Sequence, residues 1–438
     1  MAILTKEEAK QIIDKTLSFA KADETEVSIS GGKTGNIRYA RNTVNTSGET
    51  NSISLNITSV FGKQSGSTSI NELDDESLKK AVARAEEIAK LAPENPEYMP
   101  MLGPQEYKET KTFFDSTDQI DPDYRAQLAI DSIKPCVDNN LTAAGYLEDF
   151  SGFTAMGNSK GMFGYNKGTS VDFTVTVRTN DGTGSGYSGA DFNDVNLLKS
   201  GSVTNLAVQK AMASQNAQAI EPGKYTVILE PRAASDLLGR LTFGLDARSA
   251  DEGRSFMSKK GGGTRIGEKI FDERVNIYSD PANTEIPVAP WSGDGLPLEK
   301  TQWVENGVVK NLFYSRYWAD KQGVEPVPRP RGVIFEGGDE SLADMVRSTE
   351  RGVLVTRFWY IRSVDPQTLL FTGLTRDGTF YIEDGQIKFP VKNFRFNESP
   401  IIMLNNIESM GKPQRVDGSL VPAMKIRDFT FSSLSDAV

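Results

Sequence analysis

Histidine does not occur in this chain of 438 residues. Its absence excludes Ser-His-Asp and Cys-His nucleophilic catalysis, imidazole general-base chemistry and the commonest zinc ligand in one step. Any catalysis would have to rest on carboxylates, lysines or hydroxyls. Cysteine is nearly absent too: Cys136 stands alone, so no intramolecular disulfide can form, which suits a reducing compartment. A small buried hydrophobe is the simplest role for it. No stretch is long and apolar enough to span a membrane, and the opening MAILTKEEAKQIIDK lacks the apolar run of a signal peptide. Basic excess is missing as well. The net charge is -10 and the pI about 5.0, which argues against nucleic acid as a direct partner. These absences point to a cytoplasmic globular protein.

What is present centres on residues 225–245, YTVILEPRAASDLLGRLTFGL. Residues 225–229 are bulky, apolar and β-branched, Pro231 halts them, and leucines at 237, 238, 241 and 245 resume at helical spacing. The segment predicts strand, break and helix. Ser235, Asp236 and Arg240 occupy the i, i+1 and i+5 places of an HExxxH metal motif, with Gly239 before the last. At ~100° per residue, i and i+5 point ~140° apart, so two ligands there share an ion only if the helix distorts. A glycine eases such a distortion. Ser235, however, is a poor zinc ligand, and Arg240 brings a fixed positive charge to the place of a cation.

In chain order, Thr5 and Glu8 form a capping box ahead of a helix over 5–20. Alternating strands follow at 25–30, 36–40 and 51–60, then a helix over 75–91 stopped by Pro93 and a Pro-rich connection over 93–104. A helix over 124–137 is ended or kinked by Pro135, strands are expected at 143–149, 153–158, 162–166 and 170–179, and a helix over 203–219. Beyond the central helix come strands at 274–278, 302–305, 308–314, 352–360, 380–383 and 386–389, with Asn306-Gly307 and Asp384-Gly385 as hairpin turns. A helical turn and strand over 401–407 and 422–431 close the pattern. The fold class is α+β: an N-terminal antiparallel sheet with helices, then a C-terminal β-rich, barrel-like domain around a central helix. The expected boundary divides residues 1–220, with a middle region from about 105, from residues 221–438.

The order of several motifs resembles one family. They are AVARAEEIAK at 81–90, NSKG at 158–161, PGKYTVILEP at 222–231, GEKIFDE at 267–273, DGLP at 294–297, VENGVVK at 304–310 and FTGLTRDGTFYIEDGQIKFPV at 371–391. Together they resemble the TldD/PmbA (TldE) proteins, a metallopeptidase family also called modulators of DNA gyrase. In the TldD branch the resemblance implies zinc held by HExxxH and a cysteine near the C-terminus. Here the matching positions hold Ser235, Asp236, Arg240 and Met410. A thioether is a weak, neutral ligand and cannot replace a thiolate alone, so core packing is the simpler role for Met410. This pattern resembles the TldE (PmbA) branch, which lacks the motif and pairs with a TldD-type subunit. The resemblance therefore implies no catalytic residue and no metal on this chain, with zinc only on the partner.

Other candidates weigh against plainer roles. Arg376 and Asp377 could line a peptide channel, although turn chemistry alone explains Asp377-Gly378. Lys259, Lys260 and glycines 261–263 lack the order of a phosphate loop and read as a surface loop. Asp246, Asp251 and Glu252 read as a solvated helix exit, and Trp359 with Tyr360 as core. An Asp236–Arg240 pair is expected from i, i+4 spacing. Three functions follow from the resemblance: a non-catalytic subunit of a TldD/TldE-type peptidase acting on unfolded peptide, as heterodimer or homodimer; a metal-dependent peptidase using carboxylates such as Asp236; and a regulatory binding protein linked to DNA gyrase.

Overall fold

The structure, a computed structural model, describes residues 3–435. Helix α1 (Lys6–Ser18) starts on Thr5, whose hydroxyl accepts from the Glu8 amide while the Glu8 carboxylate accepts from the Thr5 amide. The chain then runs through β1 (Glu24–Ala40), β2 (Thr43–Phe61) and β3 (Gln64–Ile70) into α2 (Asp75–Leu91), which is capped by Asp74. After an extended crossing come α3 (Asp115–Asp118) and α4 (Pro122–Asp138), then β4 (Leu141–Asn158), β5 (Phe163–Thr179) and β6 (Ser185–Phe192), and finally α5 (Ser200–Ala213). Pro135 sits within the last turn of α4, where the helix runs out at Asp138.

The six strands form one antiparallel sheet in the order β3-β2-β1-β4-β5-β6. Its strands are longer than the composition suggests: three of them run straight through glycines that read as breaks. Gly35 shows why. A Cβ there would lie 1.8 Å from the guanidinium of Arg125, so the residue that weakens the strand locally is the one that admits the buried arginine. Odd-numbered residues of β1 and β4, such as Val27, Ile29, Ile37, Tyr39, Leu147 and Phe153, face the helices. Along that one face α1 and α2 cover one end and α4 and α5 the other, giving two side-by-side cores.

The second half begins with β7 (Lys224–Leu229), α6 (Pro231–Phe243) and α7 (Ala247–Asp251). It continues with β8 (Ile277–Ser279), β9 (Thr301–Glu305), β10 (Val308–Val309), α8 (Arg316–Gln322), β11 (Val333–Phe335) and α9 (Leu342–Arg347). Then follow β12 (Arg351–Asp365), β13 (Leu370–Glu383), β14 (Gln386–Pro390), β15 (Phe394–Glu398), α10 (Pro400–Asn405), β16 (Ile407–Met410), β17 (Gln414–Val416), β18 (Ser419–Val421) and β19 (Met424–Leu434). Strands β12, β7, β19, β15 and β13 close into a five-stranded barrel, because β13 pairs back onto β12; β14 and β16 flank it. A separate mixed sheet has the order β10-β9-β8-β11-β18-β17. The expected strands at 274–278 and 308–314 are shorter than their apolar content suggested.

Closure of so small a barrel needs sharp local bends, and β-bulges supply them. Asp377 and Gly378 of β13 oppose the single Thr356 of β12, with φ of 54° and 122°. Asp377-Gly378 is therefore a bulge inside a strand and not a turn. Tyr360 lies in a second bulge, at φ 53°, opposite Gly373. That bulge turns the end of β12 outward, so Trp359 and Tyr360, expected in the core, are 45% and 60% exposed.

Candidate functional site

Pro231 opens α6 with its φ already helical, and Leu237, Leu238 and Leu241 join the barrel core with no exposed surface. The opposite stripe carries the residues of the metal-like spacing. Asp236 Oδ2 accepts from the Phe358 amide of β12 at 3.0 Å, and Oδ1 lies 3.8 Å from Arg232 Nε. Burial pushes the Asp236 carboxyl up; Arg232, the Phe358 amide and Arg240 pull it part of the way back. Arg240 does not pair with that carboxylate. Its guanidinium curls back to the Asp236 carbonyl oxygen and rests 5.8 Å from the Phe371 ring. The expected i, i+4 pair is replaced by an i, i+4 contact of Arg232 with Asp236, one turn earlier.

This donor set does not fit zinc. The one carboxylate is spent on an amide and on Arg232, a guanidinium occupies the neighbouring helix face, and Ser235 is a neutral hydroxyl. Met410 lies on β16 opposite Met424, half-buried against the barrel core. The described residues contain no group of three or more His, Cys, Asp or Glu placed to hold a metal ion.

Gly239, Arg240 and Phe243 form one wall of a cavity of about 840 Å³. Phe256, Leu369 and Phe371 supply its apolar floor, and Phe243 stands 74% exposed at its rim. The acidic residues nearby are already engaged. Asp246 caps α7 and pairs with Arg329 at 3.1 Å, Asp251 accepts from Trp318 Nε1 at 2.7 Å, and Glu252 pairs with Arg248 at 3.0 Å and with Arg254. The Lys259-Lys260 segment is a tight glycine turn closed by a Ser258–Thr264 bridge, with Lys259 3.3 Å from Glu268.

Arg376 and Asp377 lie elsewhere, where β6 meets the barrel. Because side chains alternate along a strand, Ser185, Tyr187 and Asp191 of β6 all face the second half of the chain. Ser185 Oγ donates to Asp377 Oδ1 at 2.5 Å, and Arg357 Nε donates to Oδ2 at 2.7 Å. Arg357 also stacks 3.8 Å above Tyr187. Arg415 Nε donates to Asp191 Oδ2 at 2.8 Å, and Arg232 pairs with Asp417 at 2.6 Å. Asp377 is buried, with 3% exposure, and joins the two halves at the wall of a cavity of about 300 Å³ that Ser185, Gly378 and Thr379 also line. Arg376 keeps 22% of its side chain exposed and stacks 4.5 Å from Trp359. Sequence reasoning missed Arg232, Arg357, Tyr187 and Arg415; Arg232 lies inside the 225–245 stretch without a metal-motif place, and only for Tyr187 does the alternation along β6 give a hint.

One carboxyl at this junction is strained electrostatically. Asp172 is the cross-strand neighbour of both Glu148 and Asp191, and Asp417 approaches from the β17–β18 turn. Crowding by surrounding protein first, then Asp191 and Asp417, push it up to about 6, against the pull of Arg232, even though the side chain is exposed at the surface. A carboxyl raised in the folded state penalises folding once ionised. The stability present below the unfolded value of ~3.9 is therefore lost as pH rises through about 6. Asp172→Asn is expected to raise Tm at pH ~7.5 and leave it unchanged at pH ~4. Thermal melts of both chains at the two pH values check this.

No helix among the described residues is long and apolar enough to cross a membrane. Three models of one family match in sequence order: the PmbA/TldA metallopeptidase domain 1 over residues 25–89, the central domain over 115–215 and the C-terminal domain over 222–433. Metalloprotease PmbA of Escherichia coli O157:H7 is 22% identical over 97% of this chain and 98% of its own. A metalloprotease of Methanothermobacter thermautotrophicus is 26% identical over 48% of this chain, a match that spans only 47% of that relative. Among solved structures, TldE from Thermococcus kodakarensis superposes with a TM-score of 0.83 at 20% identity, covering 97% of this chain and 99% of that one. A Thermotoga maritima protein described as a proposed modulator of a DNA gyrase gives 0.87 at 17% identity, covering 97% and 100%.

Proposed function

The chain belongs to the PmbA/TldD metallopeptidase family, and from that membership we propose that it is a non-catalytic subunit which helps enclose unfolded peptide while a TldD-type partner cleaves it. The observation that carries this reading is Arg240. Its fixed positive charge sits on the helix face where an ion would bind, beside a carboxylate already bonded to the Phe358 amide. A complete scaffold around a helix without ligands or base suits holding better than turnover. The reading includes a boundary near residue 220, a cytoplasmic location, and a dimer formed with the partner or with a second copy. Peptide would add as a strand, since main-chain bonding tolerates varied sequences. The closed barrel offers no free edge, so the strands that end the sheets, β3, β6, β10, β14, β16 and β17, are the edges open to this role. Arg376, partly open beside Trp359, is the member of its pair that reaches peptide.

Two measurements test it. An unfolded peptide is incubated with this chain, with an intact-motif homologue, and with both, each with and without a chelator. Cleavage is expected from the mixture above that of the homologue, none from this chain, and none with chelator. Cleavage by the isolated chain, or a mixture no more active than the homologue, would overturn the proposal. Elemental analysis of the purified chain is expected to find no bound zinc; a tightly held ion that disappears in Asp236→Asn would contradict the reading of α6.

A further inference from the structure

The cavity beside α6 has an electrostatic bias that a passive wall does not need. Three guanidinium groups line it, and two are neutralised: Arg254 by Glu252, and Arg329 by Asp246. Asp365, also at the wall, is bound to its own loop through the Gln367 amide at 2.9 Å and Thr368 Oγ1 at 2.6 Å. No carboxylate lies within ion-pair distance of Arg240 among the described residues; its partners are the Asp236 carbonyl oxygen and the Phe371 ring. Burial lowers its pKa, with only partial relief from Asp236, as expected of a cation short of counter-charge. The result is one guanidinium without an ion-pair partner in contact, set against an apolar floor, in a space of about 840 Å³.

Building on the subunit reading, we propose that this cavity binds the C-terminal end of a peptide, with Arg240 receiving the free α-carboxylate and Phe256, Leu369 and Phe371 seating the last apolar side chain. A chain terminus offers both features at once, because its carboxylate and its side chain leave the same Cα. A planar guanidinium can meet a carboxylate with two parallel N–H···O bonds, which a lysine cannot do. The volume lies within the range of ~300–1,000 Å³ usual for small-ligand sites, enough for a residue or two and not for a folded partner. Binding makes and breaks no covalent bond. In the assembly, such a site would hold one end of the peptide while the partner works on another part.

The test titrates the full chain by calorimetry with an acetylated pentapeptide ending in leucine, as the free acid and as the C-terminal amide. The acid is expected to bind at least about tenfold more tightly, ~1.4 kcal/mol. Arg240→Gln should abolish that preference. Gly239→Leu supplies a second variant: a Cβ at Gly239 meets no atom within 4 Å and is compatible with the helix, so the chain should fold while the added side chain fills the cavity and weakens both ligands. Equal affinity for acid and amide, no binding of the acid, a preference that survives Arg240→Gln, or unchanged binding by Gly239→Leu would overturn the proposal. The complementation assay keeps the two readings apart. A chain without acid preference that still enhances the homologue loses the carboxylate site and keeps its subunit role.

Discussion

Arg125→Met is expected to cost ~3–5 kcal/mol of folding stability, read as a lowered urea midpoint at unchanged slope. Arg125 has no exposed surface, and Asp149 retains 1%. The guanidinium grips Asp149 with two bonds, 2.6 Å from Nε and 3.1 Å from Nη2, and reaches Glu49 at 3.0 Å. Taking a pair of ions out of water costs much of what their attraction returns, so the pair itself is no large source of stability. Removing one partner is different, because it leaves the other charge buried and uncompensated. The double variant Arg125→Met with Asp149→Leu should accordingly recover most of the loss. A single-variant loss under ~1 kcal/mol, the range of exposed pairs, would mean that water reaches Asp149.

The next largest effect is expected at Asp377. Asp377→Ala should lose ~3 kcal/mol or more, because Arg357 would be left without its carboxylate in a partly closed junction and Ser185 without its acceptor. Asp377→Asn should lose less: asparagine tolerates the left-handed backbone at φ 54° and can still accept from Ser185. Calorimetry adds a readout specific to the junction. With the alanine variant the sheet half and the barrel half are expected to melt in separate steps, whereas a single sharp transition at a slightly lower temperature would assign Asp377 to the bulge alone.

Local signals carried the sequence reading where structure is local. The helix over 75–91 appears with those bounds, because an Asp74 cap, a periodic apolar face and a following proline act within one segment. The strand, break and helix around Pro231 likewise depend on neighbouring residues. Reading failed where distant residues decide. Glycine at 35 looked like a break, and only Arg125 explains why a strand passes through it. Strand β6 was overlooked because its pattern serves two partners: its even side lies toward α5, and its odd side answers arginines from another part of the chain. At the candidate site, spacing singles out Asp236 and Arg240. It could not reveal that the Phe358 amide claims the carboxylate, nor that Arg240 turns away from it. Trp359 and Tyr360 read as core in the sequence because hydrophobicity carries no mark of a bulge.

The way the barrel closes also orders events during synthesis. Strand β7 has two neighbours, β12 and β19, and its antiparallel seam joins Leu229 to Met424. The β12–β13 pair is a local hairpin that can zip as soon as it emerges, whereas β7 must wait for strands encoded far downstream. Until β19 arrives, β7 and the leucines of α6 have no complete core to enter. A growing chain thus carries an adhesive apolar segment through much of its translation, the circumstance in which chaperone capture or early engagement of another subunit matters most.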